Sequence, residues 1–205
     1  MIVITVYLSI MKNQNVILSS IFEENHGYLS SRELNKKSSL YVALRLLMEQ
    51  GIVEKIKPGL YRYSTFIQRD ELTEVAKIYP QGIFCMFSAW HYYELIGQIP
   101  PVHHVAFPNK TKVKLIDYPP VKIYYWSAHL VGLQQIQLDG FKIFSLEKSV
   151  CDAVKFRNKI GKDTMAEILK NYLKRKDKDL NLLFRVAKQM RIESLLRDYL
   201  NLIHE

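Results

Sequence analysis

The chain has 205 residues, of which 48% are hydrophobic and 24% are charged, and this balance excludes an intrinsically disordered protein. Its formal net charge of +9 favours a polyanionic partner, either nucleic acid, an acidic protein or an anionic membrane surface. Cys85 and Cys151 each lie in an apolar helical pattern, which indicates reduced core thiols rather than a disulfide or a metal pair. We therefore expect a cytoplasmic protein.

The apolar N-terminal stretch, residues 1–11, is shorter than the roughly 20 residues that cross a bilayer. It also lacks the basic start and the small-residue cleavage site of a secretory signal, so we expect no membrane partner. Two interpretations stay open. The stretch is either a short strand or the product of an upstream-shifted start, in which case Met11 rather than Met1 is the true initiator.

Apolar residues at helical spacing predict one helix over residues 13–24 and another over residues 38–50. Between them, Ser30 and Glu33 have the spacing of a capping box, which predicts a short helix over residues 30–36. Three helices in this order, with the short one in the middle, are typical of a helix-turn-helix.

A β-hairpin is predicted directly after the third helix. Residues 52–57 alternate between apolar and charged side chains, and residues 60–63 form the returning strand. Pro58 and Gly59 between them supply the fixed φ and the positive φ of a type II turn. Helix, short helix, helix and hairpin give the order of a winged helix-turn-helix, which we predict as a DNA-binding domain over residues 12–65.

The pattern changes after residue 65, and we predict a second domain over residues 66–205. It has a small antiparallel sheet and a helical C-terminal half, so the fold class of the chain is α+β. Asp139-Gly140 predicts a two-residue hairpin between the last two strands. Helices are predicted over residues 70–79, 83–96 and the region after residue 145, and strands over residues 102–107, 121–126, 132–138 and 141–144.

One face of the predicted third helix lies away from its apolar stripe, as in a recognition helix that enters the major groove. On this face, Arg45 can bond a guanine edge and Val42 can contact a thymine methyl group. Basic residues of the turn and the wing can neutralise the charge of flanking phosphates. The predicted DNA contacts are Lys36, Lys37, Ser38, Ser39, Val42, Arg45, Lys55, Lys57 and Arg62. The alternative is a helical hairpin for protein contacts, with these lysines as solvated charges.

A second group of basic residues is densest in the C-terminal half. For such a run a solvated helix face is the default interpretation, and added phosphate contacts or an acidic protein partner are the alternatives. The group comprises Lys170, Lys174, Arg175, Lys176 and Lys178.

The sequence indicates no catalytic centre, so we predict no enzyme, no cofactor and no metal. It lacks the HExxH pattern, a glycine-rich phosphate loop and nucleophile-elbow spacing. His91 and Glu94 lie one helical turn apart without a third ligand, and we interpret them as a buried structural pair. The alternative enzyme is a magnesium-dependent nuclease with a split site built from Asp117, Asp139 and Lys142.

Five blocks of this sequence resemble the AbiEi family, the antitoxin and autorepressor half of abortive-infection type IV toxin-antitoxin systems of bacteria. The blocks are GIVEKIKPGLYRY, FCMFSAWHYYELIGQIP, VAFPNK, FKIFSLEKSVCDAVKFRNKIG and RVAKQMRIESLLRDYL. The resemblance covers residues 16–203. It rests on several loose blocks in the right order rather than on one diagnostic motif.

The resemblance implies a transcriptional autorepressor that binds inverted repeats in its own promoter through residues 30–63. It also implies that residues 66–205 are an antitoxin domain that opposes a nucleotidyltransferase-like toxin. Some members of the family have no toxin, so a stand-alone winged-helix regulator or a protein-interaction module is the alternative. Inverted repeats require two copies on the DNA, and a dimer or cooperatively bound monomers satisfy this equally.

Overall fold

A computed structural model of the chain describes residues 2–64 and 71–204, with side chains for residues 13–64 and 71–203. The fold is α+β, as predicted, and the chain divides into two compact units, Met1–Ile78 and Tyr79–Glu205. The predicted domain boundary at 65/66 lies outside the described residues. Of the described helices, none is both long enough and apolar enough to cross a bilayer.

The described part of the first unit consists of three helices and one three-stranded sheet. Its elements are α1 (Ile2–Glu24), β1 (Tyr28–Ser30), α2 (Ser38–Glu49), β2 (Val53–Lys57), β3 (Leu60–Tyr63) and α3 (Glu71–Ile78). All pairings are antiparallel, in the order β1-β3-β2. The hairpin is confirmed, with a φ of 79° at Gly59 in its turn. Helix α1 includes residues 2–11, so the strand interpretation of that stretch is wrong.

The predicted short helix over residues 30–36 is wrong, because residues 31–36 form successive turns. The capping contact itself is present, since the backbone N–H of Ser30 donates to Glu33 Oε2 at 2.6 Å. However, Asn35 and Lys36 have φ values of 48° and 57°. A right-handed helix cannot continue through residues in the left-handed region, so the segment closes as turns and α2 begins afresh at Ser38.

A buried ion pair attaches α3 to the sheet. The guanidinium of Arg62 donates to the two carboxylate oxygens of Glu74 at 2.8 and 2.6 Å, and to Glu54 Oε2 at 2.8 Å. The Tyr28 hydroxyl donates to Glu74 Oε2 at 2.9 Å. The side chains of Arg62 and Glu74 are only 14% and 6% exposed. Removing either partner would leave a buried charge without its partner and lower the free energy of unfolding by about 3–5 kcal/mol.

The second unit places a five-stranded sheet against a group of helices. Its elements are β4 (Ile83–Phe84), α4 (Met86–Tyr92), β5 (His103–Pro108), β6 (Val121–Trp126), α5 (Ala128–Gly132), β7 (Gln135–Gln137), β8 (Lys142–Phe144), α6 (Leu146–Lys155), α7 (Arg157–Ile160), α8 (Lys162–Lys174), α9 (Leu180–Gln189) and α10 (Glu193–His204). The strand order is β6-β5-β4-β8-β7. The largest core lies between one sheet face and the helices, and the helical C-terminal half is confirmed.

The prediction of an antiparallel sheet in this unit is wrong. Strands β5 and β6 are parallel, as are β4 and β8, whereas β4 with β5 and β7 with β8 are antiparallel. Residues 109–120 cross back from the end of β5 to the start of β6, which is the dozen residues that a parallel connection requires. The predicted hairpin at Asp139-Gly140 is confirmed, because the N–H of Leu138 donates to the carbonyl of Phe141 at 2.9 Å.

The predicted continuous helix over residues 83–96 is also wrong. Ile83 and Phe84 pair with β5 in the sheet, and only the seven residues of α4 are α-helical. The chain turns at Glu94, whose φ is 56°. Both His91 and Glu94 are exposed, so they do not form the buried structural pair that their spacing suggested.

Helix α6 carries a buried ion pair into the core of the second unit. Lys148 Nζ donates to the carboxylate oxygens of Asp152 at 2.7 and 2.8 Å, and both side chains are almost fully buried. The ammonium also lies 4.2 Å from the ring centre of Phe144 and 4.9 Å from that of Trp126. Burial raises the pKa of Asp152, and the Lys148 charge opposes that shift. Each buried charge thus has its partner inside the core.

His104 is held in its neutral form on β5. It is 5% exposed, and its Nδ1 lies 2.9 Å from the Tyr124 hydroxyl, which donates to it when the ring is neutral. The two rings stack with their centres 5.5 Å apart. Burial, together with the charges of Lys122 and His103, lowers the pKa of His104 to about 4.

We predict that His104 makes the second unit sensitive to acid. Its pKa is about 6.5 in an unfolded chain, so between pH 6.5 and 4 the unfolded state binds the proton first. The free energy of unfolding should therefore decrease as the pH falls through this window, by up to about 3 kcal/mol. Urea denaturation across this range should show that His104→Phe removes this dependence, whereas the exposed control His91→Phe keeps it. An unchanged acid dependence in His104→Phe would contradict the assignment.

Candidate nucleic-acid interface

Helix α2 presents an uncovered face on the first unit. It buries Leu40, Ala43, Leu44 and Leu47 in the core, as its periodicity predicts. The predicted contacts Ser38, Ser39, Val42 and Arg45 all lie on the exposed side. The Arg45 side chain is 71% exposed and pairs with Glu49 at 3.6 Å. Surface pairs of this kind contribute less than about 1 kcal/mol, so Arg45 can exchange Glu49 for a ligand.

The N-terminal end of α2 is basic. Lys36 and Lys37 are exposed in the residues that lead into the helix, and Lys37 occupies the N-cap position without a side-chain cap. The first turn of α2 carries no acidic residue. The positive end of the helix dipole therefore adds to two lysine charges, and this end of α2 favours an anion.

The hairpin is fixed to α2 through the preceding turn. The N–H of Ser31 donates to the Gly59 carbonyl at 2.8 Å, and the Tyr41 hydroxyl donates to the Ser31 carbonyl at 3.2 Å. A Cβ at Gly59 would lie 2.9 Å from the Ser31 hydroxyl oxygen. The positive φ favours glycine there, and a Cβ would displace the Ser31 hydroxyl, which is the end of a short flexible side chain. Exposed Lys55 on β2 is consequently held in a defined position beside α2.

Two residues that were predicted to contact phosphates make contacts inside the first unit instead, so we correct their assignment as phosphate contacts. Lys57 donates from Nζ to the Ile78 carbonyl at the end of α3, and burial lowers the pKa of its ammonium. Arg62 is bound by Glu54 and Glu74. Lys57 is half-buried, and the Arg62 side chain is only 14% exposed. The predicted lysines that remain exposed are Lys36, Lys37 and Lys55.

Sequence reasoning missed the residues that position this surface. Tyr41 is partly exposed beside Val42, and its spacing of three residues from Ser38 was a signal that could have placed it on the same face. Ser31 and Glu74 gave no such signal, because their partners lie at least ten residues away in the sequence. The buried stripe of α2 was therefore easier to predict than the contacts that fix its orientation.

Three of the five residues in the predicted second basic group are exposed, and the other two make contacts inside the second unit. Lys170, Lys174 and Lys176 are exposed around the end of α8. In contrast, Arg175 donates to the Tyr93 carbonyl at 2.6 Å and pairs with Asp177, and Lys178 donates to the Arg175 carbonyl at 2.8 Å. The adjacent cleft is lined by Glu94 and Glu167 as well as by Lys174 and Arg175. Its charge is mixed, which suits the solvated-face interpretation better than a phosphate site.

The residues of the alternative nuclease site are not brought together. Asp117 precedes β6 at one edge of the five-stranded sheet, whereas Asp139 and Lys142 lie at the opposite edge, in β7, β8 and their turn. With strands about 4.8 Å apart, these edges are separated by roughly 15–20 Å. Within the described residues, no three His, Cys, Asp or Glu side chains form a group that could hold a metal ion.

Comparisons with models of known protein families and with curated proteins found no match to this chain. The resemblance to the AbiEi family thus stays a prediction from the sequence blocks.

We predict that Lys55 and Lys57 respond differently to the same substitution. Lys55→Ala should reduce by about 1 the slope of the logarithm of duplex affinity against the logarithm of salt concentration, with unchanged stability. Lys57→Ala should leave that slope unchanged and lower the free energy of unfolding, because it loses the Ile78 contact. Fluorescence anisotropy at several salt concentrations and urea denaturation measure the two effects. A reduced salt slope in Lys57→Ala would contradict the assignment of Lys57 to an internal contact, and an unchanged slope in Lys55→Ala would contradict a phosphate contact by Lys55.

Proposed function

We propose that the first unit is a winged helix-turn-helix and that the protein is a transcriptional regulator that binds duplex DNA in its own promoter. The element order α1, β1, turn, α2, β2, β3 supports this, with β3 between β1 and β2 in an antiparallel sheet. In this proposal the turns over residues 31–36 replace the short second helix, and α2 is the recognition helix.

The observation that carries the proposal is the exposed face of α2 beside the fixed hairpin. Arg45 has two donors for the N7 and O6 atoms of guanine, and Val42 offers an apolar contact to a thymine methyl group. Ser38 and Ser39 lie at the N-terminal end, where a recognition helix enters the groove. Lys36, Lys37 and Lys55 then neutralise flanking phosphates and set the register without reading sequence.

The resemblance to the AbiEi family supports a more specific form of this proposal. In that form, the protein is an autorepressor of a type IV toxin-antitoxin system that binds inverted repeats, and Tyr79–Glu205 is the antitoxin domain. Its partner is then a nucleotidyltransferase-like toxin. DNA recognition by α2 is independent of this extension, since a stand-alone regulator would use the same helix face.

We predict that Arg45→Ala weakens binding to the DNA upstream of the gene by about 10- to 100-fold, because a bidentate base contact contributes about 1–3 kcal/mol. Affinity for a random duplex should change by less than about threefold, since non-specific binding depends on phosphates. Arg197→Ala is the matched control. Like Arg45, Arg197 is exposed and pairs with a glutamate one helical turn away, but it lies on α10.

Competition with random duplex in fluorescence anisotropy measures this discrimination. Equal affinity of the parent protein for upstream and random DNA would contradict a sequence-specific regulator and favour a protein-interaction module. Unchanged discrimination in Arg45→Ala would contradict the role of α2.

A further inference from the structure

The crossover between β5 and β6 displays a row of exposed lysines on the second unit. Lys110, Lys112 and Lys114 are exposed, whereas Thr111 and Val113 between them are half-buried. Lys110 lies in a turn, where its φ is 71° and the N–H of Thr111 donates to the Pro108 carbonyl at 3.2 Å, and Lys112 and Lys114 follow at alternate positions of the chain. Residues 109–120 contain these three lysines and one acidic residue, Asp117, so their net charge is 3 − 1 = +2.

This crossover lies over the sheet face that is turned away from the helices. At its two ends, the N–H of Asn109 donates to the Trp126 carbonyl, and the Pro120 carbonyl accepts from the N–H of His103. In its middle, the N–H of Ile116 donates to the Tyr79 hydroxyl at 3.3 Å. The Tyr79 ring in turn makes an edge contact with Phe107 on β5, at 6.3 Å between ring centres. The segment therefore follows the length of the two parallel strands.

Exposed aromatic rings accompany the lysines. On β6, Tyr124 and Trp126 pack against the helical core, so strand alternation places Tyr125 on the face of the crossover, where it is 48% exposed. Tyr118, which precedes β6 by three residues, is 61% exposed. The rise of about 3.3 Å per residue puts Tyr125 about 13 Å along β6 from Val121, so the two tyrosines lie near opposite ends of the surface. We name this surface, Lys110, Lys112, Lys114, Tyr118 and Tyr125, the crossover surface.

We propose that the crossover surface binds a single-stranded polynucleotide. Lysine ammonium groups neutralise successive phosphates, and tyrosine rings stack on bases, which is the combination that single-strand binding requires. Base faces are accessible for stacking only where the bases are unpaired, so exposed rings favour a single strand over a duplex. Single-stranded DNA and RNA share this chemistry.

The proposal is independent of duplex recognition by α2, because it uses other residues of the other unit. Its test uses the full chain and two fluorescent probes of about 15 nucleotides, oligo(dT) and oligo(U), in anisotropy titrations. Tighter binding of oligo(U) assigns RNA as the ligand, and tighter binding of oligo(dT) assigns DNA. Arg45→Ala should leave both affinities unchanged, so failure of one proposal is distinguishable from failure of the other.

We predict that Tyr125→Ala lowers the affinity for the tighter-binding probe by about tenfold, as expected for the loss of one stacked base. Lys110→Gln, Lys112→Gln and Lys114→Gln combined should reduce the salt slope by about 2, because three phosphate contacts on a single strand contribute about 0.7 each. The matched control combines Lys159→Gln, Lys162→Gln and Lys188→Gln, which removes the same charge from exposed positions of the same unit. Circular dichroism checks that each variant is folded.

Several results would overturn the proposal. One is the absence of binding to both probes. Another is equal loss of affinity in the test and control lysine variants, which would indicate general attraction by net charge. Full competition by random duplex in Arg45→Ala would show that unpaired bases are not required. Binding to vesicles of anionic phospholipid that depends on Tyr125, without binding to either oligonucleotide, would assign the surface to a membrane instead.

Discussion

The ion pair between Arg62 and Glu74 connects the three strands of the first unit's sheet with α3. Its hydrogen-bond network draws one residue from each strand and one from α3, namely Tyr28 on β1, Glu54 on β2, Arg62 on β3 and Glu74 on α3. Burial raises the pKa of Tyr28, and the Glu74 carboxylate raises it further, so the hydroxyl stays protonated as a donor. Because each buried charge needs its partner, separating α3 from the three strands would leave buried charges unpaired.

This network also engages one of the basic residues that were predicted to contact phosphates. It occupies Arg62, and the adjacent contact of Lys57 with the end of α3 occupies a second cation. Lys36, Lys37 and Lys55 remain outside it, close to the N-terminal end of α2 and on the hairpin. In this fold, Arg62 and Lys57 make internal contacts, whereas Lys36, Lys37 and Lys55 lie on the surface that we propose for DNA. Net charge alone gives no such division, since it counts all five residues equally.

The elements that depend on local periodicity were predictable from the sequence. The stripe of α2 and the turns at Gly59 and Gly140 need only their own residues, and the structure has them where the pattern puts them. The same reasoning from local periodicity failed where strand pairing joins residues that are far apart in the sequence. Ile83 and Phe84 have the apolar character of a buried helix, yet they pair with β5 in the sheet. The parallel pairing of β5 and β6 likewise depends on where the crossover runs.

Local reasoning also failed at the capping box, for a different reason. Ser30 and Glu33 make the predicted contact, but Asn35 and Lys36 adopt left-handed backbone angles that end the segment after single turns. For the candidate DNA surface, exposure of the α2 face was predictable because it is the complement of the buried stripe. The contacts of Lys57 with Ile78 and of Arg62 with Glu74 were not predictable, because these partners lie on α3, in a part of the sequence that the pattern assigned to another domain.

The most direct test of the account is an NMR titration of the isotope-labelled full chain with duplex DNA from upstream of its gene. If α2 is the recognition helix, the largest amide shift changes should occur in residues 36–45 and at the hairpin residues 55–59, and they should saturate at lower DNA concentration than with a random duplex. Shift changes confined to Tyr79–Glu205, or equal responses to both duplexes, would contradict it.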